Sequence, residues 1–378
     1  MKDRHAPGHV LLIILQKAFI KFLLFSVVFC VFCGSALSLG DDARNSDRAL
    51  EQCWQTKLSE AEFGQLAAGQ SAVFVQLDKA RVAAVELATG SVLWSAEPGG
   101  AIVSNLLSSG DTVIVATSAV SPGMPALVKL RSLSVQTGIP VWNVDLAPAG
   151  RVWLAEHDGL IVAASDSGQV SAIASSGGSV IWTTKRSPAA AGPVVGSDRV
   201  ALPTTGGVQF LDVSNGQPVG AFSMPFASTA AAFVFDRAFL AGDDRGNLAL
   251  FSSDGSPQWA HKNGARIASI AGTERGALVT SFDNFVYMLT RNGGVMWKRR
   301  LLARPVGAPA IVDDKAILMS SGSRELFVID LAKGRIIDRR PLEGEAIGTA
   351  AIAERSLFVA ADSSGRLTTF AFGDCPSR

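Results

Sequence analysis

The 378-residue sequence has few of the side chains that most often carry out catalysis. It contains four histidines, four cysteines and one tyrosine. It has no Gly-x-Ser-x-Gly motif and no pair of histidines at metal-binding spacing, so neither a serine hydrolase nor a histidine-ligated metal enzyme is indicated. We therefore predict no catalytic residues, no bound metal and no enzymatic activity.

The sequence also lacks an excess of charge of either sign. Lysine and arginine total 34, aspartate and glutamate total 33, and the net charge is +1. This balance provides no strong field for nucleic acid or for an anionic membrane surface, and we exclude both as main partners. Apolar residues make up 48% of the chain and charged residues 18%, which is enough for a packed core and argues against disorder.

Helical periodicity is missing after residue 50, where short apolar runs alternate with glycine-containing or polar turns. Most of the tryptophans recur at intervals of about 40 residues, which is the length of one propeller blade. These tryptophans are Trp54, Trp94, Trp142, Trp182, Trp259 and Trp297. All but the first follow a glycine by four residues, and two degenerate copies keep the glycine without the tryptophan. The turn glycines are Gly90, Gly138, Gly178, Gly216, Gly255, Gly293 and Gly334.

This repeat predicts an all-β fold, an eight-bladed β-propeller of four-stranded antiparallel blades over residues 51–378. We expect the tryptophan on the outermost strand of each blade, buried between adjacent blades. The glycine would supply a positive φ in the tight turn before that strand. The segment around Trp54 has no blade before it, and the last repeat lacks its outer strand. The N-terminal strand is therefore predicted to complete the eighth blade and close the ring.

The N-terminus resembles an export signal over residues 1–36, followed by a linker over 37–50. Positive charges precede the apolar run 22–32, and the small residues 34–36 suit cleavage after Ala36. This interpretation places the protein in the periplasm or cell envelope. The alternative is an uncleaved membrane anchor formed by residues 22–39, which would then be the chain's one contact with a membrane.

The cysteines divide into two pairs by position. Cys30 and Cys33 lie within the signal core and would leave on cleavage. Cys53 and Cys375 lie at the two ends of the predicted ring, in a compartment that favours oxidation. We therefore predict a disulfide between Cys53 and Cys375.

The interval from Trp94 to Trp142 is the longest of the repeat. Its extra residues fall at 118–126, where prolines and a glycine predict an exposed loop between two strands of one blade. Such a loop could take part in recognition or be a tolerated insertion.

Repeats such as "VELATGSVLW" resemble the pyrroloquinoline-quinone-type propeller repeat, and eight of them behind an export signal resemble the BamB family of outer-membrane protein assembly factors. The resemblance covers residues 52–373. It implies a non-enzymatic, monomeric scaffold that binds protein partners in the cell envelope, with the outer-membrane assembly machinery as the candidate partner.

The sequence departs from the family where the family contacts its partner. A Leu-Ser-Leu-Arg-like strand aligns by blade position with residues 222–226, where Phe222 and Met224 match but Pro225 replaces the arginine. An Asp-x-Asp loop aligns with residues 262–269, which contain no aspartate. A lipid-anchored cysteine is also not indicated, since bulky phenylalanines precede both signal-core cysteines.

The alternative function within the superfamily is an enzyme or ligand-binding protein that uses the mouth of the central channel. The quinone-dependent dehydrogenases of this kind hold their cofactor with calcium and a disulfide between adjacent cysteines. This sequence has no adjacent cysteines and about half the usual length of those enzymes. We therefore predict no cofactor.

Overall fold

The computed structural model describes residues 50–58, 63–119, 126–235, 238–252, 255–352 and 355–376. The predicted signal, the linker up to residue 49 and most of the predicted loop at 118–126 lie outside these residues. Within the described residues there are strands, turns and no α-helix.

The strands form eight antiparallel sheets, which we number as blades 1 to 8 in chain order and within which consecutive strands pair as neighbours. Blade 1 contains β2 (Phe63–Ala68), β3 (Ala72–Leu77), β4 (Arg81–Glu86) and β5 (Val92–Ala96). Blade 2 contains β6 (Ala101–Ile102), β7 (Leu107–Ser109), β8 (Thr112–Ala119), β9 (Leu127–Ser134) and β10 (Pro140–Leu146). Blade 3 contains β11 (Val152–His157), β12 (Leu160–Ser165), β13 (Gln169–Ala174) and β14 (Val180–Lys185). Blade 4 contains β15 (Val194–Val195), β16 (Arg199–Thr204), β17 (Gly207–Asp212) and β18 (Pro218–Ser223).

The second half of the ring repeats the arrangement. Blade 5 contains β19 (Ser228–Val234), β20 (Ala238–Asp243), β21 (Asn247–Phe251) and β22 (Pro257–Lys262). Blade 6 contains β23 (Ile267–Thr273), β24 (Gly276–Ser281), β25 (Phe285–Leu289) and β26 (Val295–Arg300). Blade 7 contains β27 (Ala310–Val312), β28 (Lys315–Met319), β29 (Glu325–Asp330) and β30 (Ile336–Pro341). Blade 8 contains β31 (Ala346–Ile352), β32 (Leu357–Asp362), β33 (Arg366–Phe372) and β1 (Leu50–Lys57).

The hydrophobic core lies between adjacent blades. The middle strands are almost wholly buried and read as continuous apolar runs, because a neighbouring blade covers each of their faces. Phe74 and Ala84 of blade 1, for example, cluster with Val113 and Val115 of blade 2. The outer strands alternate between exposed and half-buried residues, since one side of each faces solvent.

The prediction that the N-terminal strand closes the ring is confirmed. β1 pairs antiparallel with β33, from Leu50 opposite Phe372 to Lys57 opposite Arg366. The eighth sheet is thereby built from the two ends of the described chain, and its outer strand begins at Leu50.

Blade 2 differs from the others because its innermost strand is split into β6 and β7, both paired with β8. Between them the chain bonds to blade 3 instead. The side chain of Asn105 donates to the carbonyl of Leu154 at 3.0 Å and accepts from the same residue's backbone N–H at 2.8 Å. These two hydrogen bonds join blade 2 to blade 3. Because β6 and β7 both pair with β8, blade 2 is a five-stranded sheet.

Candidate functional site

The six repeat tryptophans extend from their outer strands to the following blade. The indole N–H of Trp94 donates to the carbonyl of Val135 at 2.6 Å, and that of Trp142 donates to Ser175 at 2.9 Å. The same kind of bond joins Trp54 to Leu87, Trp182 to Val213, Trp259 to Arg291 and Trp297 to Leu331. Each acceptor lies just before the turn glycine of the next blade, so one contact is repeated around most of the ring.

The turn glycines have a second role besides their positive φ. A methyl group added at Gly138, where φ is +69°, would lie 2.7 Å from the Trp94 ring of the preceding blade. The same ring-on-glycine contact occurs at Gly90, Gly178, Gly216, Gly293 and Gly334. Gly255 also has a positive φ, but its nearest neighbour is Phe210, at 3.9 Å. Most of these glycines are therefore required by the tryptophan as well as by the turn.

A β-bulge precedes the tryptophan position in every blade. The register of the outer strand slips by one residue there, for example between Gln52 and Trp54 and between Pro140 and Trp142. The unpaired residues are Cys53, Leu93, Val141, Ile181, Val219, Gln258, Met296 and Ile337. A bulge bends its strand and changes where the next side chain points. We attribute the position of each tryptophan to this bend.

Blades 4 and 7 lack the tryptophan, and each has a different substitute. In blade 4, Gly220 occupies the tryptophan position. Phe222, two residues further on, packs on Phe251 of blade 5 with ring centroids 4.3 Å apart. Asp338 stands at the blade 7 position and pairs with Arg340, which donates to the carbonyl of Leu50 at 2.6 Å. In blade 8 the outer strand β1 does not follow β33 in the chain, so these two strands do not form the hairpin turn on which an indole ring packs in other blades.

The predicted disulfide is present between Cys53 and Cys375, with Cα atoms 5.3 Å apart. Cys53 is the bulge residue of blade 8. In six other blades this residue is apolar and exposed, for instance Leu93 at 42% and Val141 at 57%. The bulge frees the Cys53 side chain from the strand ladder, and Cys375 reaches it three residues past the end of β33. The bond stands where the other blades have a hairpin turn.

One face of the ring carries the connections between blades together with the turns between second and third strands, and we call it the linker face. Backbone bonds hold these segments to each other, as where the N–H of Phe282 donates to Arg266 at 2.9 Å. On blades 5 to 7 this face presents three exposed arginines over two aromatic rings. The distances to the ring centroids are 5.2 Å from Arg245 to Phe226, 5.6 Å from Arg266 to Phe282 and 5.4 Å from Arg304 to Phe282. We name these five residues the arginine–phenylalanine surface.

Two carboxylates, one buried and one half-buried, hold the turns that carry this surface. Asp243 is fully buried, and one of its oxygens accepts from the backbone N–H of Arg245 at 2.9 Å. The carboxylate of Asp283, next to Phe282, accepts from the Tyr287 hydroxyl at 2.6 Å and from the N–H of Gly264 at 3.2 Å. Burial, followed by the hydrogen bond and the negative charge of Asp283, raises the pKa of Tyr287.

Asn263 lies in the same connection as Arg266 and is 6% exposed. Its backbone N–H donates to Gly246, but neither polar atom of its side chain has a partner among the described residues. Buried amide groups usually have hydrogen-bond partners, so this side chain retains unused donors and an acceptor.

The opposite face contains crevices between the turns of adjacent blades. One, about 500 Å³, is lined by residues including Arg275, Asp313 and Asp314. A second, about 340 Å³, includes His157, Arg199 and Phe233. A third, about 330 Å³, lies where blades 8, 1 and 2 meet. Because such crevices recur at several blade boundaries, we interpret them as a consequence of the repeat.

The described residues contain no cluster of three or more histidine, cysteine, aspartate or glutamate side chains suited to a metal. Among the same residues, no helix is long and apolar enough to cross a membrane.

Comparison with known proteins agrees with this architecture. The family model described as "Outer membrane protein assembly factor BamB" matches residues 46–123, 126–288 and 279–374. The chain belongs to the BamB family. Among curated protein sequences, none matches this one.

Solved structures support the fold of this BamB-family chain. BamB from Moraxella catarrhalis is 17% identical, with a TM-score of 0.68, covering 85% of this chain and all of that one. The computationally designed Ika8 protein is 13% identical, with a TM-score of 0.70, covering 83% of this chain and 97% of that one. The C-terminal WD40 domain of Sif2 is 12% identical, with a TM-score of 0.68, covering 86% and 99%. At these identities the likeness concerns the fold alone.

The segments that align with the partner contacts of the BamB family lie beside the arginine–phenylalanine surface. Phe222 is half-buried against Phe251, and Met224 is 6% exposed, so both contribute to the contact between blades 4 and 5. Phe226, two residues further on, is 40% exposed. Residues 262–269 contribute Asn263 and Arg266 to the linker face.

Sequence reasoning missed both the bulges and the arginine–phenylalanine surface. One signal for the surface is visible in the repeat, since Arg266 and Arg304 each follow the tryptophan of their own repeat by seven residues. Equal offsets in consecutive repeats place side chains at equivalent positions on one face.

Proposed function

We propose that this BamB-family propeller is a non-enzymatic scaffold of the cell envelope that binds protein partners during outer-membrane protein assembly. The observation that carries the proposal is the family match, whose segments run from residue 46 to residue 374. The closed ring of eight blades is consistent with that role, and the N-terminal segment resembles an export signal.

The construction of the ring suits a docking platform. Tryptophan contacts between blades and the Cys53–Cys375 bond, at the turns opposite the linker face, join the blades into a closed ring that positions the linker face. Recognition residues commonly lie on loops that a rigid scaffold positions. A surface held in its binding conformation loses little conformational entropy on association.

Deletion of the gene in the native host tests the proposal. We expect the amounts of β-barrel proteins in the outer membrane to fall and to be restored by the full-length chain supplied in trans. Quantitative mass spectrometry of outer-membrane fractions measures this. Unchanged β-barrel levels, with the protein confirmed in the envelope of the parent strain, would contradict the proposed role.

A further inference from the structure

We propose that the arginine–phenylalanine surface binds an acidic, partly apolar segment of a partner protein. This inference rests on the proposed function in taking the partner to be a protein, and it adds where that partner binds and with what chemistry.

The arginines of the surface form no ion pair within the described residues. Arg245, Arg266 and Arg304 are exposed, and their side chains form no ion pair or hydrogen bond in the described part of the chain. Asp244 and Asp283 lie in the same turns, but neither pairs with these arginines. Two of the guanidinium groups share the Phe282 ring, so like charges lie close together with no carboxylate paired to either of them.

The backbone that carries each of the three arginines is held by a hydrogen bond. The backbone N–H of Arg245 bonds to buried Asp243. The carbonyl of Arg266 accepts from Phe282, and that of Arg304 accepts from Ser321 at 2.9 Å. A guanidinium stacked on an aromatic ring keeps its N–H groups available, in a planar arrangement that matches the two oxygens of a carboxylate.

Apolar groups and one buried amide complete the surface. Phe226 is 40% exposed and Leu302, two residues before Arg304, is 74% exposed. Arginine and aromatic residues together are characteristic of protein interfaces. The buried side chain of Asn263, three residues before Arg266, has no hydrogen-bond partner among the described residues. The complementary partner therefore has carboxylates for the arginines and an apolar side chain for Phe226 and Leu302.

A binding assay with a defined probe tests the chemistry. The probe is a fluorescent synthetic peptide of alternating glutamate and leucine, compared with the same peptide carrying glutamine for glutamate. Fluorescence anisotropy with the exported full-length protein should show binding of the glutamate peptide and much weaker binding of the glutamine peptide. The affinity should fall as ionic strength rises through about 0.15 M, because screening by salt weakens exposed charge pairs.

Matched variants test the location. Reversal of the surface by R245E, R266E and R304E together should weaken probe binding about tenfold or more. The control reverses three cations on the opposite face, by R275E, K333E and R335E, which gives the same change in net charge. It should leave the affinity within about twofold of the parent. Replacement of the three surface arginines by lysine keeps the charge and loses the planar stack, and should weaken binding about threefold.

Several results would overturn the proposal. They are unchanged binding by the R245E/R266E/R304E variant, an equal loss in the control variant, or equal binding of both peptides. Stronger binding to phosphatidylglycerol vesicles that depends on the same arginines would assign the surface to lipid instead. If the reversed variant does not fold, as judged by circular dichroism, the arginine-to-glutamine triple variant serves in its place.

Complementation of the deletion strain distinguishes an error in the surface assignment from an error in the proposed scaffold role. In the deletion strain, the R245E/R266E/R304E variant should fail to restore outer-membrane β-barrel proteins, whereas the control variant should restore them. If the reversed variant restores them fully, the surface assignment is wrong and the scaffold role stands. If deletion itself has no effect, the scaffold role is wrong, and the peptide assay still tests the chemistry of the surface.

Discussion

At the scale of single residues, the molecule depends on pairing one tryptophan with one glycine of the following blade. The indole ring covers the glycine, and the indole N–H bonds a carbonyl just before it. No residue with a side chain fits beneath the ring. Each repeat tryptophan therefore requires a glycine in the following blade, whereas Gly255 keeps its positive φ with no indole ring on it.

Gly138→Ala should destabilise the propeller more than Gly255→Ala. Both glycines have a positive φ, which costs an alanine about 1–2 kcal/mol. At Gly138 the added methyl group would also lie 2.7 Å from the Trp94 ring, whereas at Gly255 the nearest atom is 3.9 Å away. Urea denaturation of the two variants measures the difference. Equal losses of stability would mean that the turn conformation alone selects these glycines.

Tyr287 gives a second prediction, because it is the one tyrosine in the sequence and its absorbance reports its ionisation directly. Burial and the nearby Asp283 raise its pKa, so the folded state favours the neutral phenol. The stability this provides is fully present below the unfolded value of about 10 and is lost as the pH rises above it. In an absorbance titration, tyrosinate should form only above pH 10, together with unfolding. A reversible titration near pH 10 in the folded protein would contradict this.

At the scale of elements, the β-bulge determines how each outer strand meets the next blade. It also accounts for the position of the disulfide, since the bulge residue of β1 is Cys53. The repeat predicted the blade number and the closing role of β1, and together with the export signal it predicted the bond between Cys53 and Cys375. The bulge was not predictable, because a one-residue slip depends on the pairing of two strands and leaves no mark in either strand alone.

Other features could not be predicted from one repeat, because they are formed by residues from several repeats. The Phe222–Phe251 contact replaces the tryptophan of blade 4 through side chains from two repeats. The split of the inner strand in blade 2 follows from the bonds that Asn105 makes to blade 3. The arginine–phenylalanine surface combines residues from several connections and turns, so it forms only when the blades are assembled.

Replacement of both cysteines by serine tests the closing strand. We expect the C53S/C375S protein to fold, because Trp54 still bonds Leu87 and Arg340 still bonds Leu50. Its free energy of unfolding should be lower by about 2–4 kcal/mol, since the unfolded chain loses a long-range constraint. Denaturation with and without reductant measures this. The parent should become as unstable as the variant in reductant, and no difference between them in oxidising buffer would refute the contribution.

At the scale of the whole molecule, stability is distributed around a ring of similar interfaces. Each blade contacts two neighbours, and its middle strands have no large exposed surface. Such a molecule can vary its loops while the interfaces between blades remain intact. The specificity of this BamB-family member is therefore expected in its turns and connections.

The enzyme alternative requires that the whole propeller bind a cofactor. We expect the purified mature protein to bind neither pyrroloquinoline quinone nor calcium tightly, because its sequence lacks the adjacent cysteine pair of the quinone-dependent dehydrogenases. Isothermal titration calorimetry with each ligand measures this, with a quinone-dependent dehydrogenase as the positive control. Dye reduction with alcohol or sugar substrates after reconstitution would instead establish an enzyme.

The bond between Cys53 and Cys375 makes the propeller covalently circular between those residues. A protease that cuts a single exposed loop of a linear chain releases two pieces that can separate. Here one cut leaves both pieces attached through the disulfide, and the blades beside the cut stay packed against their neighbours. Envelope proteins are exposed to proteases, and a nicked ring of this kind would survive as one particle until a second cut or a reductant reached it.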